Sequence, residues 1–429
     1  MRFIKLYRFI FIIGLMGCQT DNPLPEVEIT PEEPILTANI EVYEADLLED
    51  SYVMAIENGS KKSYLLDKTG NIVYEWNFDL YSGNDVELLP DGRLLGIFKV
   101  TDPNFSFGGY GGIVRIYSAD GNIEWEYTYA SSDYLAHHDV DMMPNGNVLI
   151  LAWHKVDFET AKQNGVKYEG VIYPESLIEV NPKSNEIVWE WHSFDHIIQD
   201  KFPDALNYGI VNENPQLIDI NYGLKDDGDI MHGNGIDYDI HKDVIYLSIN
   251  KYSEVWVIDH STTTSQAKTH TGGKYNKGGD LVYRFGNPEA YNNEYGNRLF
   301  YKIHFPNFIE DGLPGAGNLL IFNNGTRSKQ SSVHELKMPD DFNLNVGEDN
   351  EPEIVWSFAD VELFNPNIGG AVRLHNGNTL ICEGDYGFWE VTPNGIVAWK
   401  YNGGVDVSFW RCYAYNKYAL AITNLKLPK

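Results

Sequence analysis

One short pattern recurs six times along this chain, and it constrains the fold more than any other feature. Each copy is an alternating run, usually after Gly or Asn, that closes on aromatic residues. The copies are TGNIVYEW to Trp76, DGNIEWEY through Trp125, SNEIVWEW through Trp189, GGDLVYRF to Phe285, EPEIVWSF through Trp356 and PNGIVAWKY through Trp399. Before each lies another strand-like run: SYLLDK, IVRIYSAD, SLIEVNP, EVWVIDHS, SVHELKM and FWEVTP. Further upstream lie hairpin pairs such as VELLPDGRLLGIF, VDMMPNGNVLILAW and AVRLHNGNTLICEG, with turn residues between alternating segments. Four short strands per copy, six copies and no long helical periodicity predict an all-β fold, a six-bladed β-propeller of four-stranded blades. A single four-stranded sheet cannot bury both of its faces. Radial packing of blades covers them, and the recurring Trp or Phe supplies large apolar area between neighbours.

The copies are spaced from about 43 to 96 residues apart, so the middle ones carry insertions. The segment 194–224, rich in Pro, Asn and Asp, reads as an excursion over one face. The propeller is expected to span residues 37–429. Ahead of it, residues 1–17 read as a signal peptide, with Arg2, Lys5 and Arg8 preceding the apolar run Phe9 to Met16. That run is too short to span a bilayer as a helix. Leu15-Met16-Gly17-Cys18 resembles the lipobox of bacterial lipoproteins, which implies cleavage before Cys18 and lipidation of its thiol. Residues 18–36, rich in Pro and Glu, read as a flexible tether. The chain is then expected in the bacterial cell envelope, periplasmic or on the outer membrane, touching the membrane through the anchor alone.

The formal net charge of −30 argues against nucleic-acid partners and against direct adsorption to anionic lipid. Besides Cys18 the chain holds Cys382 and Cys412, enough for one disulfide but not for a disulfide framework. No CxxC or HExxH spacing is present, so no metal and no cofactor is expected.

Three histidines stand at matching places in successive copies: HHDVDMMPNGNVLIL from His137, HGNGIDYDIHKDVIYLSI from His232 and HFPNFIEDGLPGAGNLLIF from His304. Each precedes a short alternating run that leads into a turn. In a propeller the first strand of each blade lines the central channel, so His138, His232 and His304 are expected around one channel mouth, in blades three to five. Asn84 and Gly369 hold the comparable offset in blades two and six. Adjacent strand residues face opposite ways, and the reading places His138, not His137, in the channel. Imidazoles at such a site can hold a transition metal or serve as nucleophile, acid and base. Asp139 lies next to His138 but is expected to point elsewhere. His154, His334 and His375 read as structural or surface residues, and His260 as solvated or capping.

The chain resembles the bacterial arylsulfotransferase family from about Asp85 to Trp399. The likeness rests on HHDVDMMPNGNVL, HGNGIDYD followed by SEVWVIDHSTTT, GGDLVYRFGNP, and IHFPNF with GNLLIFNNGTRS. It implies a six-bladed propeller that moves a sulfuryl group from a phenolic sulfate ester to another phenol, without a nucleotide donor and through a transiently sulfated histidine. By motif, His304 matches the nucleophile, and His232 and His138 the supporting histidines. The resemblance also implies an arginine before the SEVWVID segment, where this sequence has Asn250. Lys251 is next along and is expected on the other face. Arg327 of NNGTRS is the alternative cation for the sulfonate. A quinoprotein-like redox propeller and a non-catalytic binding propeller are the competing readings of the same pattern.

Overall fold

The computed structural model describes residues 34–224, 227–425 and 427. The leader, Cys18 and most of the tether lie outside the described residues. From Leu36 onward the chain forms one compact unit, built almost entirely of short antiparallel strands in a β-propeller-like arrangement. Among the described residues, no helix is long and apolar enough to cross a membrane.

The strand that opens each meander matters most for the site. These six are β1 (Ser82–Leu88), β2 (Tyr134–Met142), β3 (Gly233–Asp239), β4 (Ile303–Phe308), β5 (Gly370–Arg373) and β6 (Phe409–Asn416). β3 and β4 each begin a four-stranded antiparallel sheet, and β5 begins a five-stranded one. β1 and β2 each lead a four-stranded meander. The two meanders touch through a single parallel bridge, Asn84 to His138, and so join as one eight-stranded sheet. β6 differs in kind. It comes from the C-terminus and pairs with Ser51–Glu57, opening the sheet that contains the first sequence copy. The N-terminal strand Ile40–Tyr43 answers it by pairing with Val397–Asn402 at the far edge of the sheet led by β5. The excursion at 194–224 carries only a two-stranded parallel pair, Ile197–Ile198 with Ile218–Asp219.

The recurring aromatics lie on the last strand of each meander. Trp76, Trp125, Trp189, Phe285 and Trp399 are buried. Four of the indoles also reach the next meander. Trp125 Nε1 donates to Asn185 Oδ1 (2.7 Å), Trp189 to Thr262 Oγ1 (3.1 Å), Trp356 to the Pro393 carbonyl (3.0 Å) and Trp399 to the Lys68 carbonyl (2.8 Å). Each acceptor sits in a turn beside the last two strands of the following sheet. The Trp therefore both fills the space between sheets and fixes their spacing through a directional bond. His260, expected solvated, is instead half-buried between Glu179 Oε2 and Asp243 Oδ1, each 2.9 Å away, where two neighbouring sheets meet. The turn composition suggested solvent, and the carboxylate of the preceding sheet overrides it. Cys382 and Cys412 are separate buried thiols, not a disulfide.

At the centre, Arg411 of β6 is 1% exposed. Its guanidinium binds Asp139 of β2 through two bonds, 2.9 and 3.0 Å, lies 3.3 Å from Asp85 of β1, and donates to the Asn234 carbonyl of β3 (3.3 Å). Burial pushes the Asp85 carboxyl up to about 8, with Arg411 opposing the rise and Asp139 adding to it. Removing one partner of such a buried pair leaves a charge without compensation, which costs about 3–5 kcal/mol. Arg411→Met is therefore expected to lower the unfolding free energy by that amount, read as a lower denaturant midpoint. Adding Asp139→Asn should recover part of the loss, and a midpoint unchanged in Arg411→Met would contradict this account.

Candidate functional site

Adjacent residues on β2 and β6 face opposite cavities. Asp139 and Arg411 line one of about 760 Å³, whereas His138 and Trp410 line another of about 540 Å³. The smaller cavity also takes in His232, just before β3, and His304, the second residue of β4. The structure thus brings the three sequence-predicted histidines onto one cavity, with Asn84 and Asn250 beside them. The His138 and His232 rings are 4.8 Å apart, and Trp410 stands 5.5 Å from His138 and 5.6 Å from His304.

The backbone makes this possible by leaving regular strand geometry. His138 and His232 have φ of 56° and 59°, in the left-handed region that few side chains adopt. His138 is held there by its amide bond to the Gly109 carbonyl (2.9 Å). Gly109, itself at φ 79°, must be glycine: a Cβ there would lie 2.1 Å from His138 Nε2.

Each imidazole has its Nδ1 engaged, which fixes the tautomer. Asn324 donates its amide N–H to the Asn365 carbonyl (2.9 Å), so its Oδ1 accepts from His304 Nδ1 (2.7 Å). The Nε2 of His304 is left with a lone pair. His138 reaches the same state through a relay. Glu175 accepts from His137 Nε2 (2.9 Å) while its other oxygen takes the Gly233 amide (2.6 Å). The Nδ1 of His137 then accepts from His138 Nδ1 (2.8 Å). His137 is buried and stacked on Trp153, with ring centroids 3.7 Å apart. It faces away from the cavity and sets the proton on its neighbour. His232 donates Nδ1–H to Asp229 Oδ2 at 2.5 Å.

Burial pulls His304 down to about 3, with the Asn324 bond opposing the drop and His232, Arg411 and Lys302 adding to it. His138 is also held well below the usual range, first by burial and then by the neighbouring imidazoles. Both rings are therefore neutral at physiological pH. Burial raises Asp229, but its bond to His232 and the nearby Lys251 more than offset this and hold it below the usual carboxylate value.

Positive charge at the site comes from lysines. Lys99, Lys251 and Lys302 all line the smaller cavity. Lys302 Nζ donates to Asn250 Oδ1 (2.8 Å), and Lys251 Nζ lies 3.3 Å from Asp229 Oδ2. Lys251 was expected on the opposite face from Asn250. Strand alternation stops at Ile249, however, and both residues follow it in a turn, where neighbours can share a side. Arg327 is not among the lining residues. It is exposed, with its guanidinium on the Tyr301 hydroxyl (2.8 Å) and ring. The larger cavity has the opposite character. Burial raises Glu87 and Asp237 well above the carboxylate range and Asp141 to about 7.

Comparison with known proteins bears on this arrangement. The family model described as Arylsulfotransferase (ASST) matches residues 39–403. The chain belongs to the arylsulfotransferase family. No similar protein is found among curated proteins. Among solved structures, a Bacteroides caccae protein of unknown function is similar at 14% identity, with TM-score 0.50, covering 85% of this chain and 99% of its own. A functionally unknown protein from Desulfotomaculum acetoxidans is similar at 11% identity and TM-score 0.45, covering 85% and 98%.

The close approach of Gly109 to His138 has an immediate test. Gly109→Ala must displace the His138 ring or the 109 backbone. It is expected to remove most transfer activity, at least about tenfold as for a misplaced reacting group, and to lower the melting temperature, because Ala is strained at this φ. Because His304 is neutral down to strongly acidic pH, the acid limb of kcat/KM attributable to it should fall well below 6.5. A limb at 6.5 that disappears in His304 variants would contradict its depressed value.

Proposed function

We propose that this arylsulfotransferase-family protein moves a sulfuryl group from a phenolic sulfate ester to an acceptor phenol through a sulfated His304. The observation that carries the reading is the locked Nδ1 of all three imidazoles around a cavity edged by lysines. A nucleophile for sulfur must be unprotonated yet held in place, and His304 meets both conditions. The cavity, at about 540 Å³, is of a size for a phenyl ester, with Trp410 and Phe107 among its walls.

In the first step His304 Nε2 attacks sulfur in line with the ester oxygen. The N–S bond forms, the S–O bond to the aryl group breaks, and the departing phenolate takes a proton from His232 Nε2. Asp229, accepting Nδ1–H, supports the positive charge that a proton on His232 requires, the role a carboxylate plays behind a catalytic imidazole. In the second step the acceptor phenol oxygen attacks sulfur, the N–S bond breaks, and His232 takes the phenol proton. His138, neutral and with Nε2 available, accepts the hydrogen bond that orients the phenol hydroxyl. The ammonium of Lys302, positioned by Asn250, compensates the sulfonate oxygens, so the expected arginine is replaced by an Asn–Lys pair. The lysine-edged mouth is the entrance for the same anion.

The fold reading behind this mechanism is a six-bladed propeller, counting the eight-stranded sheet as two blades bridged at Asn84 and His138. The leader and Cys18 suit a lipid-anchored protein of the bacterial envelope, with small phenols as its partners and no nucleic acid.

Incubation with a chromogenic aryl sulfate and a phenol tests the proposal. Ping-pong kinetics are expected, with one SO₃ group trapped on His304 when the acceptor is omitted. His304→Ala should abolish transfer and keep the fold, and activity within a few-fold of wild type would end the assignment. Lys302→Met should lower kcat/KM by about 10²–10³-fold, as for loss of one preorganised donor. Asn250→Arg should also lower it, because the new guanidinium would face the Lys302 ammonium. A gain in Asn250→Arg would mean that Lys302 does not supply the charge.

A further inference from the structure

Away from the cavity, His196, His270 and Asp280 converge. His196 closes the short helical turn Ser193–His196 after the meander led by β2. His270 and Asp280 belong to the long connection that follows the helix Thr264–Ala267. One nitrogen of each ring and one oxygen of Asp280 all lie within 4.8 Å of one another. Asp280 Oδ1 is 2.8 Å from His196 Nδ1 and 2.7 Å from His270 Nδ1.

The surroundings of His196 distinguish this group from an ordinary hydrogen-bonded cluster. The ring is fully buried and lies parallel to Trp191, whose Nε1 donates to the Gly279 carbonyl (2.7 Å). Its Nε2 faces the Ala267 carbonyl at 2.8 Å. Gly279 allows that approach, since a Cβ there would lie 2.4 Å from Nε2. Both ring nitrogens therefore face oxygen acceptors, a demand met either by an imidazolium, which has two N–H groups, or by a metal ion on Nδ1. Nε2–H then donates to a backbone carbonyl, the arrangement that orients metal-bound histidines.

We propose that His196 Nδ1, His270 Nδ1 and an Asp280 oxygen bind a divalent transition metal of the zinc class. Two imidazoles and a carboxylate are a zinc donor set. At bond lengths of about 2.0–2.2 Å, tetrahedral ligands stand roughly 3.3 Å apart, so Asp280 Oδ1, 2.8 and 2.7 Å from the two nitrogens, would move outward by about half an ångström on binding. His270 is exposed, so solvent can complete the coordination and the ion can enter from outside. The ion would clip the turn at 193–198 to the connection at 268–280. That role is independent of sulfuryl transfer.

The test titrates the full chain with zinc chloride in a non-chelating buffer, by calorimetry and thermal melting. One tight equivalent and a raised melting temperature are expected. His270→Ala removes an exposed ring and should weaken binding at least about tenfold and cancel the thermal gain. Asp280→Asn should act in the same direction. His304→Ala should bind as wild type does. The proposal is overturned if wild type takes up no zinc, if His270→Ala and Asp280→Asn bind it unchanged, or if His304→Ala is the variant that loses it.

Discussion

The guanidinium of Arg411 holds the centre of this molecule together. It joins β6 to Asp139 on β2, to Asp85 on β1 and to the backbone of β3. Two carboxylates and one guanidinium in a space without bulk water are favourable only when their geometry is fixed. That requirement sets the relative heights of the inner strands. The same level also separates the two cavities. His138 and Trp410 face one side, and their chain neighbours Asp139 and Arg411 face the other. The histidine site thus takes its floor from an ion pair whose guanidinium also helps to keep His304 unprotonated.

Much of the architecture could be read from the sequence, because alternation and turn residues act locally. The six aromatic copies fall on the last strands of their meanders as the pattern implies. Their second role was not legible. Nothing in DGNIEWEY tells that Trp125 donates to Asn185, since that bond depends on how neighbouring sheets are spaced. The placement of β6 was also hidden. Its partner, Ser51–Glu57, lies about 350 residues earlier in the sequence, and no repeat copy points to it.

The site was legible in its histidines and not in what tunes them. His138, His232 and His304 share an offset from their turns, and repetition converts a shared offset into a shared place. Glu175, Asp229, Asn324 and Lys302 have no such offset. Glu175 opens a third strand and Asn324 follows a second one, whereas Asp229 and Lys302 stand just before His232 and His304 in connections, where no alternation gives their direction. Strand alternation misplaced Lys251 for the same reason, because the rule ends where the strand ends. The left-handed φ of His138 and His232 is likewise invisible in a string of letters. Only Gly109, opposite His138, hints that a side chain must be accommodated there.

The sheet of the earliest described meander is completed by the last of the described strands. β6 supplies both Arg411 and Trp410, and it opens the sheet whose other three strands are the first of the meanders in the chain. During synthesis those early strands wait, lacking their inner partner, until residues 409–416 have emerged. Contacts of such long sequence separation form slowly, and unpaired edges are prone to wrong associations meanwhile. A chain cut short near its C-terminus would therefore lose more than a terminal strand. It would lack the floor of the site, leave Asp139 and Asp85 without their cation, and keep an open edge at the oldest sheet. The site is complete only once β6 has been made.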